Sequence, residues 1–182
     1  MRKLAFILGL LASPAAATGL QIEVSGVANG TIEIDLLEEV APNHVERITT
    51  LAREGAYDGV VFHRVIEGFM AQTGDVKFGR TGQDSYIRAG AGGSDLPNLK
   101  AEFSDVPYER GVVGMARSQS PDSANSQFFI MFAPAPNLNG QYTVVGRVTG
   151  GMDIVDKIKR GRGPNGAVKG QPDVMTRVTV TD

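Results

Sequence analysis

Residues 21–37, QIEVSGVANGTIEIDLL, alternate apolar and polar positions on both sides of Asn29-Gly30. A period of two predicts two strands, and Asn-Gly between them predicts a hairpin turn. Asn29-Gly30-Thr31 also matches a glycosylation sequon, but a tight turn explains the Asn-Gly pair better. From Pro42 the period changes. In PNHVERITTLAREG, Val45, Ile48, Thr49 and Ala52 recur at helical spacing, with Pro42 opening a helix and Gly55 closing it. Strands resume in GVVFHRVI (59–66) and GFMAQTG (68–74). Residues 76–100 are Gly-rich and poorly periodic, which predicts long loops. RGVVGMAR (110–117), SQFFIMFA (126–133) and YTVVGRVT (142–149) read as three further strands. GMDIVDKIKRG (151–161) reads as a second helix, and DVMTRVTVT (173–181) as a closing strand. The helices do not alternate with the strands, so a doubly wound sheet is disfavoured and a mainly β barrel or sandwich is expected. No internal repeat or low-complexity linker interrupts the pattern.

The first residues, MRKLAFILGLLASPAAATGL, follow a different logic. Arg2 and Lys3 form a basic start, Leu4 to Ala12 an apolar run, and Pro14 to Ala17 a small-residue stretch. That order predicts a secretory signal peptide, residues 1–17, cut after Ala17 and followed by one domain over 18–182. The apolar run is far shorter than the roughly twenty residues a membrane span needs. A chain of 182 residues, 42% hydrophobic and 21% charged, suits one globular domain with a core of its own. The 23 Gly and 9 Pro add many turns, consistent with short strands.

Charge and composition then exclude several chemistries. The 18 basic residues less Arg2 and Lys3 leave 16 against 20 acidic ones, a net of −4. A mildly acidic domain is a poor partner for nucleic acid, which asks for a basic surface. With no Cys, thiol catalysis and Cys-ligated metal are out. The two His, His44 and His63, are not at a metal-ligand spacing, and His63 among apolar neighbours reads as a satisfied core or boundary histidine. No G-x-S-x-G or S-x-x-K hydrolase motif is present. GRGPNG (161–166) matches G-x-G-x-x-G but follows a helix and contains Pro164, so it reads as a helix end and turn, not a dinucleotide loop.

What remains is a polar set planted among greasy residues. In SQFFIMF, alternation places Gln127, Phe129 and Met131 on one face and Phe128, Ile130 and Phe132 on the other. In FHRVI, Arg64 shares a face with Phe62 and Ile66. Spacing alone leaves open whether this is a site or a solvated strand edge.

Three stretches decide between them: FHRVIEGFMAQTGD, GVVGMARSQSPDSANSQFFIMF and LNGQYTVVGRV. They resemble the signature blocks of the cyclophilins, the cyclosporin-binding peptidyl-prolyl cis-trans isomerases, in order from about Ile22 to the C-terminus. The resemblance implies a closed eight-stranded antiparallel β-barrel capped by two helices. It also implies an enzyme that accelerates rotation about X-Pro bonds without metal or cofactor. By position, Arg64 matches the family's catalytic arginine, with Gln72 and Phe69 beside it. Met70, Phe129 and Leu138 match the pocket for the proline ring. Ala116, Arg117 and Gln127 match the groove for the residues before proline, and Tyr142 takes the place of the family's histidine. The family's tryptophan falls at or beside Asn137, and the chain has no Trp, which puts cyclosporin sensitivity in doubt. Arg117 stands where the family has asparagine. The implied partners are extended or unfolded polypeptides containing X-Pro, met in a periplasm or outside the cell, with no nucleic acid and no membrane in the mature form. A monomer is the default. The competing class is a non-catalytic proline-peptide-binding module or chaperone.

Overall fold

A computed structural model describes residues 18–82 and 86–181; the leader read at 1–17 lies outside them. Strands β1 (Gly19–Ser25) and β2 (Gly30–Leu36) pair antiparallel, Gly19 opposite Asp35 and Val24 opposite Gly30. The hairpin is as expected but its turn is not the Asn-Gly pair. Gly30 already belongs to β2, and the Asn29 amide closes the turn by donating to the Gly26 carbonyl at 2.8 Å.

Helix α1 (Pro42–Arg53) buries Val45, Ile48, Leu51 and Ala52 as its period requires. Ala41 at its start offers no side-chain cap. The carboxylate of Glu102, far along the chain, accepts from the Asn43 and His44 backbone N–H groups at 3.2 and 3.1 Å instead. The remaining strands are β3 (Val60–Val61), β4 (Arg64–Ile66), β5 (Met70–Thr73), β6 (Val112–Met115), β7 (Phe128–Met131), β8 (Val144–Gly150) and β9 (Val174–Thr181). The second helix is much shorter than its periodicity suggests: α2 is the single turn Met152–Val155. Beyond it the bonds tighten to the three-residue kind, and the Lys159 N–H leaves the helix for the Asp173 carboxylate at 2.6 Å.

All nine strands form one antiparallel sheet in the order β3-β9-β1-β2-β8-β6-β7-β5-β4. It is a curled half-barrel of nine strands, not the closed eight-stranded barrel expected. β3 and β4 lie at the two ends of the sheet although only Phe62 and His63 separate them in the chain. Those two residues bond to loops: Phe62 N–H donates to the Asp173 carbonyl, and the His63 carbonyl accepts from Val168. A possible single strand is thereby divided, and no ladder joins its halves. The exposed edges are covered by backbone from other loops, Gly79 on β3 and Gly161 and Gly166 on β4.

The alternation in β7 sorts the interior into two parts. Phe128, Ile130 and Phe132 join the main core with Ile22, Ile32, Ile48 and Val178. Phe129 and Met131 face the other way, into a smaller cluster with Met70, Tyr108, Leu138 and Val144. Among the described residues no helix is long and apolar enough to cross a membrane.

Candidate active site

The smaller cluster is the floor on which a site stands. Register lines up its members: Arg64 on β4 is opposite Gln72 on β5, Gln72 opposite Phe129 on β7, and Phe129 opposite Gly114 on β6. A β-carbon at Gly114 would lie 2.4 Å from the Tyr108 hydroxyl and 2.6 Å from the Phe129 ring. Glycine there lets both rings lie close against the sheet. Phe129 stacks on Tyr108 (centroids 5.8 Å apart, planes at 23°) and meets Tyr142 edge-on at 5.9 Å.

Over this floor is a hollow of about 150 Å³ lined by Arg64, Phe69, Met70, Gln72, Ala116, Arg117, Phe129, Leu138 and Tyr142. Beside it lies a second hollow of about 380 Å³, which shares Gln72, Ala116 and Arg117 and adds Gln127, residues 90–94 and Asn125. The structure thus places nine of the ten proposed site residues around the first hollow and Gln127 in the second. Asn137 is exposed in the 3₁₀ turn Pro136–Leu138 and lines neither.

Arg64 is held by neutral partners. Its Nε donates to the Asn165 carbonyl at 3.0 Å and its Nη1 to Gln72 Oε1 at 3.0 Å. Partial burial lowers its basicity, yet a guanidinium stays protonated at any ordinary pH. Gln72 Nε2 donates to Gln127 Oε1 at 2.9 Å, and Gln127 Nε2 donates to the carbonyls of Gly90 and Gly92 at 3.0 and 2.7 Å. The chain of bonds ends on Asp75, a fully buried carboxylate. It accepts from the N–H groups of Gly90 and Gly92 at 2.7 and 2.9 Å, and from those of Lys77 and Phe78 at 3.0 and 2.8 Å.

Three contributors escaped the sequence reading. Asp75 closes the stretch FHRVIEGFMAQTGD, but its spacing there points to no task. Tyr108 lies outside the three signature stretches. Asn165 lies in GRGPNG, which is indeed a turn but serves as the wall behind Arg64. Gly166 beside it has φ +64°, and a β-carbon there would sit 2.3 Å from Ile66 and 3.0 Å from the Val65 carbonyl. Gly166→Ala therefore destabilises the fold by about 1–3 kcal/mol through backbone strain. It also slows turnover by shifting the Asn165 carbonyl off Arg64. Urea unfolding and a reporter assay on the same preparation check this; unchanged values in both would refute it.

His63 is buried, as read, but it is not satisfied: neither ring nitrogen has a hydrogen-bond partner. Burial pushes its pKa down to about 4, partly opposed by the Asp75 charge. An unfolded histidine titrates near 6.5. The native state therefore holds fewer protons than the unfolded chain between those values, and stability falls as pH drops from 6.5 to 4. The loss across that window is roughly 3 kcal/mol. In His63→Phe the pH dependence of chemical denaturation flattens over this range; an unchanged slope would refute the assignment.

Nothing in either hollow is equipped for nucleophilic attack. Ser118 and Ser123 bond to each other, Ser123 also to the Ser120 carbonyl, and Ser94 to Asn125. Among the described residues no group of His, Cys, Asp or Glu could hold a metal ion. The arrangement can instead receive a small apolar ring and direct a fixed cation at its edge.

Comparison with known proteins agrees. The family model "Cyclophilin type peptidyl-prolyl cis-trans isomerase/CLD" matches residues 20–180. A protein of Brucella suis named "Probable peptidyl-prolyl cis-trans isomerase" is 54% identical over 178 residues, 97% of this chain and 90% of that one. A peptidyl-prolyl cis-trans isomerase of Helicobacter pylori is 39% identical over 136 residues, 72% of this chain and 76% of that one. Among solved structures, cyclophilin AquaCyp293 from Hirschia baltica aligns with a TM-score of 0.70 at 26% identity, covering 88% of this chain and 73% of that chain. A Cryptosporidium parvum cyclophilin solved in the presence of the dipeptide Ala-Pro aligns with a TM-score of 0.74 at 23% identity, covering 90% and 99%. With the family model spanning the domain from β1 to β9, the chain belongs to the cyclophilin-type peptidyl-prolyl cis-trans isomerases.

Proposed function

We propose that the chain turns X-Pro bonds by seating the proline ring in the smaller hollow, over Phe129 and Leu138, while Arg64 acts on the bond itself. Amide resonance sets a barrier of about 18–20 kcal/mol. A turnover near 10³ s⁻¹ corresponds to a barrier of about 13 kcal/mol, so it requires lowering the barrier by roughly 5–7 kcal/mol. As the bond twists, resonance is lost and the lone pair localises on the prolyl nitrogen. A guanidinium N–H aimed there stabilises the twisted form more than the planar one. No covalent bond is made or broken, so the reaction itself calls for no metal or cofactor.

The observation that carries this reading is a permanently charged guanidinium, locked by Asn165 and Gln72, at the rim of a hollow of about 150 Å³ that Phe69, Met70, Phe129 and Leu138 line on its apolar side. Gln72 serves both to hold Arg64 and to meet the substrate backbone, and the polar second hollow takes the residues before proline. The Ala-Pro dipeptide named with the Cryptosporidium parvum structure supports a proline-containing ligand. The leader pattern at 1–17 supports export to a periplasm or the medium, where the substrates are unfolded or extended chains. We take the mature protein as a monomer. The test is the cis-to-trans rate of a short Ala-Pro reporter with the domain 18–182. Acceleration establishes turnover; peptide binding without acceleration leaves a non-catalytic proline-binding module.

A further inference from the structure

We infer that Arg117 selects substrates with an acidic side chain just before the proline, on its amino-terminal side; this rests on the isomerase reading of the groove. Arg117 lines both hollows and so stands where they meet, at the place of a residue joined to the proline. Its guanidinium lies over the Tyr142 ring, 4.4 Å from the centroid. Nε and Nη2 donate to the Gln141 carbonyl at 3.2 and 3.0 Å, and Nη1 to those of Ser118 and Gln119 at 2.9 and 3.3 Å. These bonds use four of the five N–H groups a guanidinium carries. They hold the cation in place and leave its charge intact.

Three guanidiniums elsewhere meet carboxylates, Arg110 with Asp156, Arg147 with Glu109 and Arg160 with Glu67, while Arg47 donates to the carbonyls of Asn125 and Pro97. Among the described residues neither Arg64 nor Arg117 has an acidic partner, and no Asp or Glu lines either hollow. Two fixed cations and no anion thus face the groove, in a chain whose net charge is −2. A low-dielectric cleft with one sign of charge concentrates the opposite sign. The missing anion is a carboxylate of the substrate. A lysine at the same place would meet two like charges.

The test compares reporters of the form Ala-Xaa-Pro-Phe with Xaa as Glu, Gln, Lys or Ala, at low and high salt. The expected kcat/KM for Glu exceeds that for Lys by about five- to tenfold at low salt, as one partly screened charge contact gives. Gln falls between them, the difference sits mainly in KM, and high salt compresses it. Arg117→Gln shrinks the Glu-to-Lys ratio and Arg117→Glu inverts it. A wild-type ratio near one with the Ala reporter still accelerated overturns the inference and leaves the isomerase reading standing. Were no reporter accelerated, the isomerase reading would fall instead. Dissociation constants for the same Glu and Lys peptides would then decide the inference, equal values overturning it.

Discussion

Replacing Arg64 with alanine lowers kcat/KM for an Ala-Pro reporter by about 10²–10³-fold, the loss typical of one preorganised donor. The geometry explains why the fall is large while the fold persists. Arg64 is half-buried on a three-residue strand, and its partners are a side-chain amide and a backbone carbonyl, both able to turn to water when the guanidinium is gone. On the proposed reading, peptide binding persists in this variant because Phe129, Met70 and Leu138 are left in place to receive the proline ring. Arg64→Lys separates charge from shape. An ammonium keeps the cation but cannot hold the Asn165 carbonyl and Gln72 Oε1 with one planar fork, so it recovers only a minor part of the rate. Stopped-flow or exchange measurements on the pair, with dissociation constants for the same peptide, check both statements. Alanine with near wild-type kcat/KM would remove Arg64 from the centre of the mechanism.

Asp75→Ala lowers the free energy of unfolding by about 3–5 kcal/mol, the range for stripping a buried charge of its hydrogen-bonded environment or the reverse. Four backbone N–H groups, at Lys77, Phe78, Gly90 and Gly92, lose their acceptor together. Asp75→Asn is the sharper probe. Its volume is nearly that of aspartate, but its NH₂ must face backbone N–H groups whichever way the amide turns, so one pair goes unsatisfied. The segment 90–92 then loosens, and with it the two carbonyls that orient Gln127. Reporter activity is expected to fall in Asp75→Asn at temperatures where chemical denaturation shows the variant folded. A stability loss below about 1 kcal/mol would show that water or other donors replace the carboxylate at no cost.

Much of this protein is legible in short-range pattern. The period-two stretches became strands, and Pro42 to Arg53 became a helix. The alternation in SQFFIMF separated the main core from the floor of the site. Arg64 and Gln72 sit on adjacent strands of one tight hairpin, so their stretch alone sufficed to bring them to notice. These features depend on side-chain order over a few residues, where φ/ψ sterics and burial act directly.

Other features depend on contacts between distant parts of the chain. Helical periodicity continued past Val155, but the Lys157 and Ile158 N–H groups bond three residues back, and the Lys159 N–H then goes to Asp173, so α2 is one turn. Residues 59–66 read as one strand, but bonds from Phe62 and His63 to distant loops split it and left the sheet an open half-barrel. Asp75 gained its task from Gly90 and Gly92 in an aperiodic loop, and Arg64 its aim from the carbonyl of Asn165, 101 positions away. His63 looked satisfied and was orphaned by what packed around it. In the bonds that decide α2, the strand break, Asp75 and the aim of Arg64, at least one partner is a backbone N–H or C=O. Such groups occur at nearly every residue, so no order of side chains reports which one will be reached. Side-chain order marks the residues that the proposed proline site uses; what holds them still is backbone that only the folded chain brings near.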